Sequence, residues 1–258
     1  MPNLWINCLF LILCSLLNSN NGSHFEGGTI TYKVVNYTSS TVSIILTQSY
    51  TYILSIVFCN NTYISSQTQL NFGIYPDQTS TINCTANCST SGGFSSIPVR
   101  SYCTDYSSAL GITTGQRSDL VTLSNNSYFF VSYIGASYRN LTLYSTLYPY
   151  PYDFVWYITC LINLRPRPDG RLNTPPAATI ISPMYIPVGI QQYIDLPTID
   201  VDNDNVRCRF SSGISECGSV CAPSSLPNNT QILNNCTLII TGAKVGNCTT
   251  SVSPETTG

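Results

Sequence analysis

Apolar and hydroxylated residues alternate in short runs, as in Thr29-Ile30-Thr31-Tyr32-Lys33-Val34-Val35 and Thr41-Val42-Ser43-Ile44-Ile45-Leu46. The residues are β-branched and aromatic, and Asn and Ser separate the runs, so the pattern predicts strands joined by hairpins. Similar runs recur at Leu120–Leu123, Tyr128–Tyr133, Asn140–Leu147 and Asp153–Leu164. Helical periodicity is nowhere sustained over three turns. The reading is an all-β protein whose first domain, residues 23–165, is a β-sandwich.

The rhythm breaks at Leu164-Arg165-Pro166-Arg167-Pro168-Asp169-Gly170-Arg171-Leu172-Asn173-Thr174-Pro175-Pro176. Proline removes backbone donors and favours extended chain, so residues 166–176 read as a semi-rigid linker. Beyond it, Ala177–Ile181, Gln191–Asp195, Val206–Phe210 and Thr237–Thr241 are again strand-like. They define a second β-sandwich-like domain over 177–248, of immunoglobulin or cadherin type. Residues 249–258 are rich in Ser and Thr and read as a mobile tail carrying candidate O-glycan positions.

The chain opens with an apolar core, Cys8-Leu9-Phe10-Leu11-Ile12-Leu13-Cys14-Ser15-Leu16-Leu17, that turns abruptly polar. It is too short to span a bilayer and suits a secretory signal peptide over residues 1–22, cut between Ser19 and Ser23. No Lys or Arg precedes that core, and a membrane anchor is the alternative reading. No later stretch is long and apolar enough for a transmembrane helix. Secretion then colours everything else.

The charged fraction is 9% and the net charge −2, which leaves no basic face for nucleic acid. Glycans offer hydration without charge. Acceptor patterns of the form N-x-[ST] occur at Asn36, Asn60, Asn83, Asn87, Asn125, Asn140, Asn228, Asn235 and Asn247, with Asn21 at the expected cut. At Asn83, Asn87, Asn235 and Asn247 the middle residue is Cys, so disulfide formation competes with glycan transfer.

Cys59, Cys84, Cys88, Cys103, Cys160, Cys208, Cys217, Cys221, Cys236 and Cys248 lie outside the signal segment. In an oxidising compartment such an even set reads as disulfides, and spacing alone leaves the connectivity open. The Cys84/Cys88 and Cys217/Cys221 pairs have no His beside them, which disfavours zinc.

Asp200-Val201-Asp202-Asn203-Asp204 places carboxylates on alternate residues, a density of hard oxygen ligands that suits Ca²⁺. An EF-hand is excluded, because Asn205 stands where Gly is needed and Ser211 where a bidentate Glu is needed. A non-EF calcium site built from Asp200, Asp202 and Asp204 is the candidate, weighed against a solvated turn capped by Asp and Asn. His24 is the single histidine, so any Ser-His-Asp or Cys-His device must use it. Its place near the new N-terminus favours packing or hydrogen bonding instead. No catalytic residues are assigned. The tyrosines of Tyr148-Pro149-Tyr150-Pro151-Tyr152 form a candidate recognition loop, since aromatic side chains give rigid contact area and stack on sugars.

Several stretches together resemble a group of largely uncharacterised secreted or cell-surface animal proteins. They are the opening Ser23-His24-Phe25-Glu26-Gly27-Gly28-Thr29-Ile30, the Cys103-Thr104-Asp105-Tyr106 stretch, the connector Arg167–Pro176, and Asp200–Phe210 followed by Glu216-Cys217-Gly218-Ser219-Val220-Cys221. The resemblance implies an extracellular receptor-like or adhesive ectodomain and a four-plus-four cysteine set. Against that pattern Cys160 and Cys248 are additional, and their mutual pairing would tie the tail to the first domain. The Ser/Thr tail stands where a closing strand is expected, which leaves the second domain incomplete. The expected function is non-enzymatic recognition of an extracellular protein or glycan, with calcium the one candidate cofactor. A secreted hydrolase acting on carbohydrate or glycoprotein and a passive matrix component are the alternatives.

Overall fold

The computed structural model describes residues 24–73, 76–135, 155–178, 184–218, 221–222, 226–243 and 252–257. The signal segment, the run at 140–147, the loop tyrosines Tyr148, Tyr150 and Tyr152, and Asn140, Asn247 and Cys248 lie outside these residues.

The alternating runs build two four-stranded antiparallel sheets. One has the order β1 (Phe25–Tyr37), β2 (Thr41–Ile53), β6 (Ile112–Ser124) and β5 (Tyr102–Ser107). The other has the order β4 (Ile97–Pro98), β3 (Thr81–Ala86), β7 (Tyr128–Gly135) and β8 (Trp156–Asn163). β2 shows the cause most plainly. Val42, Ile44, Leu46, Gln48, Tyr50 and Tyr52 are buried, while the residues between them are half-exposed. A period of two puts one set on the core face and the other on the solvent face.

Inward side chains of both sheets share one core. Its centre is aromatic: Phe25 and Trp156 stack with ring centroids 3.9 Å apart, and Tyr133 meets Trp156 edge-on at 4.9 Å. Gly135 faces Trp156 in the β7–β8 register, and a Cβ there would come within 2.3 Å of the indole. Only glycine admits the ring at that spacing. Burial pushes the phenols of Tyr32, Tyr50 and Tyr52 well above the usual tyrosine range, so all three stay protonated.

A short helix, α1 (Asn61–Ser65), leads from β2 towards β5, and the Asn60 side chain caps it by accepting from Tyr63 N at 2.8 Å. The Cys59–Cys103 disulfide joins this segment to β5, and Cys84–Cys88 closes a small loop after β3. The outer face of the first sheet is rich in hydroxyls. Ser43 meets Thr122 at 3.1 Å and Thr47 meets Ser118 at 2.9 Å across the β2–β6 pair.

The second module is smaller. It consists of β10 (Gln191–Asp195), β14 (Thr237–Thr241) and β13 (Gln231–Ile232) in one sheet, the pair β9 (Ala177–Ala178) and β11 (Thr198–Ile199), and the pair β12 (Asn205–Phe210) and β15 (Val252–Thr257). A second short helix, α2 (Ile214–Cys217), follows β12. One buried cluster joins Leu196, Cys208 and Cys236, with Ile194, Val206 and Ile232 packed against it, and Cys217, Leu226, Leu238 and Ile240 are buried as well. Cys208–Cys236 and Cys217–Cys221 are disulfides, which gives two bonds in each half of the chain.

One expectation changes here. Residues 252–257, expected as part of a mobile tail, form β15 and pair antiparallel with β12 from Val206↔Thr256 to Phe210↔Val252. Backbone hydrogen bonds make this edge strand, so no apolar periodicity announces it. The segment read as a semi-rigid linker carries its own backbone bonds. Arg167 N donates to Arg171 O at 2.8 Å, Gly170 N donates to Arg167 O at 2.8 Å, Pro166 bridges to Leu172, and Leu172 packs on the first core.

Candidate functional site

The acidic run lies where the linker meets the second module. Asp200 begins the turn, and its Oδ1 accepts from the backbone N–H groups of Asp202 and Asp204 at 2.9 and 3.0 Å. Asn203 takes the left-handed conformation, φ 60°, that lets the chain fold back on itself. The ligand oxygens of Asp200, Asp202 and Asp204 lie within 4.8 Å of one another. The sequence-predicted trio is therefore assembled.

Its partners come from the linker. Asp202 Oδ2 accepts from Thr174 N at 2.7 Å, and the Arg167 guanidinium pairs with Asp204 and bonds Asn173. Arg167 already supplies positive charge to one of the three carboxylates. Asp200 Oδ2, in contrast, is a buried atom with no hydrogen-bond partner. A buried carboxylate oxygen left unpaired is costly, and a cation is the ligand that would satisfy it. Arg167 and Thr174 are invisible as partners in the sequence, because nothing local connects them to a turn some 30 residues away. The proximity of arginines to the proline-rich stretch is the only hint.

A second contact joins the modules. Thr85 Oγ1 and Ser132 Oγ are 2.8 Å apart, Ser132 Oγ and Thr159 Oγ1 are 2.9 Å apart, and Thr159 Oγ1 donates to Ser215 O at 3.2 Å. This hydroxyl row crosses β3, β7 and β8 and ends on α2. Gly218, just after α2, sits so close to Val155 O that a Cβ would come within 2.1 Å of it. Arg209 grips Glu216 with two bonds of 2.8 and 2.9 Å and holds its carboxyl below the usual glutamate range, which fixes α2 to β12. That support is present above the ordinary glutamate pKa and is lost as pH falls through the lowered value.

His24 is fully buried, with Nε2 2.7 Å from Asp77 Oδ2, and Tyr133 donates to the other oxygen of the same carboxylate. His24 O accepts from Ile53 N at 2.8 Å. The histidine thus anchors the start of β1, as its position near the expected signal cut suggests, and it has no open surface towards substrate.

Among the described acceptor sites, Asn36, Asn83, Asn87, Asn228 and Asn235 are exposed. Asn60 and Asn125 are half-buried, the first capping α1 and the second donating to Thr38 O at 3.2 Å. Cys84, Cys88 and Cys236, the middle residues at Asn83, Asn87 and Asn235, all sit in disulfides. Intact-mass and peptide mapping of secreted protein are expected to show high occupancy at Asn36 and Asn228 and partial occupancy at Asn83, Asn87 and Asn235.

Cys160, expected as a disulfide partner, is a buried free thiol in the first core, and burial pushes its pKa up to about 12. It therefore stays protonated and packs as a small apolar side chain. No helix among the described residues is long and apolar enough to cross a membrane. Comparison with known families, with characterised proteins and with solved structures finds no match for this chain.

Proposed function

We propose that the protein is a non-enzymatic extracellular module pair that presents a glycan-bearing β surface for adhesion or ligand recognition. The observation that carries this reading is the junction. Arg167–Asp204, Thr174–Asp202 and Thr159–Ser215 tie a small disulfide-closed module to a larger sandwich, so both present their outer faces as one body. Four disulfides suit an oxidising compartment. The hydroxyl-rich sheet face and exposed acceptor asparagines suit contact through polar, uncharged surface. Secreted protein is expected to bind a defined subset of an extracellular-protein or glycan array, with no turnover of glycoside and peptide panels. Turnover abolished by a single carboxylate replacement would move the assignment to a hydrolase.

Calcium at the junction is a second reading, favoured by the orphaned Asp200 Oδ2. Asp200, Asp202 and Asp204 would hold the ion, which supplies fixed positive charge between linker and turn. Arg167 then has to yield part of Asp204. Chelated protein titrated with Ca²⁺ is expected to gain melting temperature, saturating at about 0.1–1 mM as for extracellular modules. A melting temperature indifferent to Ca²⁺ but lowered by Arg167→Ala would leave the junction to the arginine alone.

A further inference from the structure

The sheet edges of the two modules are treated differently. In the first module β1 is bulged between Phe25 and Gly27 and again between Val34 and Asn36, and it exposes Lys33. β8 lies against β1 through the Tyr32 hydroxyl and Asn163 O, 3.1 Å apart. β5 is bulged between Cys103 and Asp105 and bridged at Tyr102 by Gln69, and β4 is two residues long. Bulges, charge, cover and shortness are the ordinary ways of blunting an edge against other chains.

β10 has none of these among the described residues. It is the terminal strand of the β10–β14–β13 sheet, and its register against β14 runs unbroken from Gln191↔Thr241 to Asp195↔Thr237. Leu196 N donates to Cys236 O on the β14 side at 3.0 Å. Successive residues of a strand aim their N–H and C=O to opposite sides, so Gln192 and Ile194 also bond β14, and Gln191, Tyr193 and Asp195 turn theirs away from it. The side chains along this edge are apolar and in water: Val188, Ile190 and Tyr193 are 52%, 58% and 67% exposed. No charged residue occurs from Leu172 to Ile194.

An open, flat, uncharged edge is a template for another strand, and its pattern says which strand fits. Two copies of Gln191–Asp195 laid antiparallel about Tyr193 match each other. Gln191 meets the partner's Asp195, Tyr193 meets Tyr193, and every outward N–H finds an outward C=O. The single charge of the strand, Asp195, then faces a neutral amide, where a parallel pairing would bring the two carboxylates towards each other.

We propose that β10 pairs antiparallel with β10 of a second copy of this chain, Tyr193 against Tyr193 on a two-fold axis, joining the two β10–β14–β13 sheets into one. Such an interface is isologous and closes on itself, so it stops at the dimer. It is independent of the function proposed above.

The test is sedimentation equilibrium of the secreted, glycosylated protein over a range of concentrations. A reversible monomer–dimer equilibrium is expected, in the micromolar range that suits a small interface. Tyr193→Lys and Tyr193→Glu each place like charges opposite one another and are expected to be monomeric, whereas their equimolar mixture recovers a dimer. Gln191→Lys sets a lysine against the partner's Asp195 on both sides of the axis and is expected to tighten association severalfold, an effect that added salt removes. A monomer at near-millimolar wild-type protein overturns the proposal, as does a dimer that Tyr193→Lys leaves intact. Unchanged association of Gln191→Lys rules out this register. A variant that merely misfolds cannot reproduce either the recovery in the mixture or the gain from Gln191→Lys, so these two results decide the matter even if Tyr193→Lys loosens the second module.

Discussion

Replacing Cys208 and Cys236 together by Ser is expected to unfold the second module while the first stays native. The bond closes a segment of 28 residues, and its loss returns about 3.5 kcal/mol of chain entropy to the unfolded state. The loss falls where little else compensates. Cys208 and Cys236 are themselves two of the three members of the buried cluster around Leu196. A domain this small rarely buries enough apolar surface to fold without a staple. Hydrogen exchange in the double variant should show protection gone from 191–195 and 237–241 but kept in β2, β6 and β7. Native-like protection in β10 and β14 would show that packing on the first module suffices to hold the second.

The other large effect is expected at Asp77. Its carboxylate is 4% exposed and receives both His24 Nε2 and the Tyr133 hydroxyl, one on each oxygen. Asp77→Ala removes the acceptor from two buried polar groups at once, for which a cost of about 3–5 kcal/mol is expected. That is a large fraction of the 5–15 kcal/mol by which folded domains are typically stable. Asp77→Asn keeps an oxygen for Tyr133 and is expected to lose about half as much. Urea midpoints for the two variants check this, and equal midpoints would show that the charge rather than the acceptor geometry matters. Trp156 and Phe25 stand beside this cluster, so the Ala variant should also shift the tryptophan emission.

Much of the β architecture is legible in the sequence because solvent faces one side of each sheet. Thr41–Leu46 is one run of an alternation that extends from Gly28 to Ile56, and the strand it belongs to runs on to Ile53. Gln48 interrupts the apolar set without ending the strand. It is a polar residue at a fully buried position, satisfied there by donating to Pro98 O at 3.0 Å and accepting from Tyr50 OH at 3.1 Å. In the second module Gln191–Asp195 and Thr237–Thr241 match their strands residue for residue. β13 and β11, two residues each, carry no periodicity to read.

The candidate site divides in the same way. Asp200, Asp202 and Asp204 are adjacent in sequence, so their convergence follows from a turn that Asp and Asn favour. Arg167 reaches them only through the tertiary fold, as His24 reaches Asp77 across 53 positions. A chain pattern reports local geometry and face, and it carries no information on which distant loops meet. The cysteines show the same limit. Their compartment is readable from number and setting, whereas the two four-residue loops and the two long ones emerge only in three dimensions.

The row of hydroxyls that runs from β3 to α2 has a direction. Ser215 O can only accept, so Thr159 must spend its single proton on it. Ser132 is then obliged to donate to Thr159, and Thr85 to donate to Ser132. Three rotors that could each point either way are locked head to tail by one carbonyl on the neighbouring module. Separating the modules would therefore release an ordered line of dipoles across β3, β7 and β8, and docking them would comb that line into a single orientation.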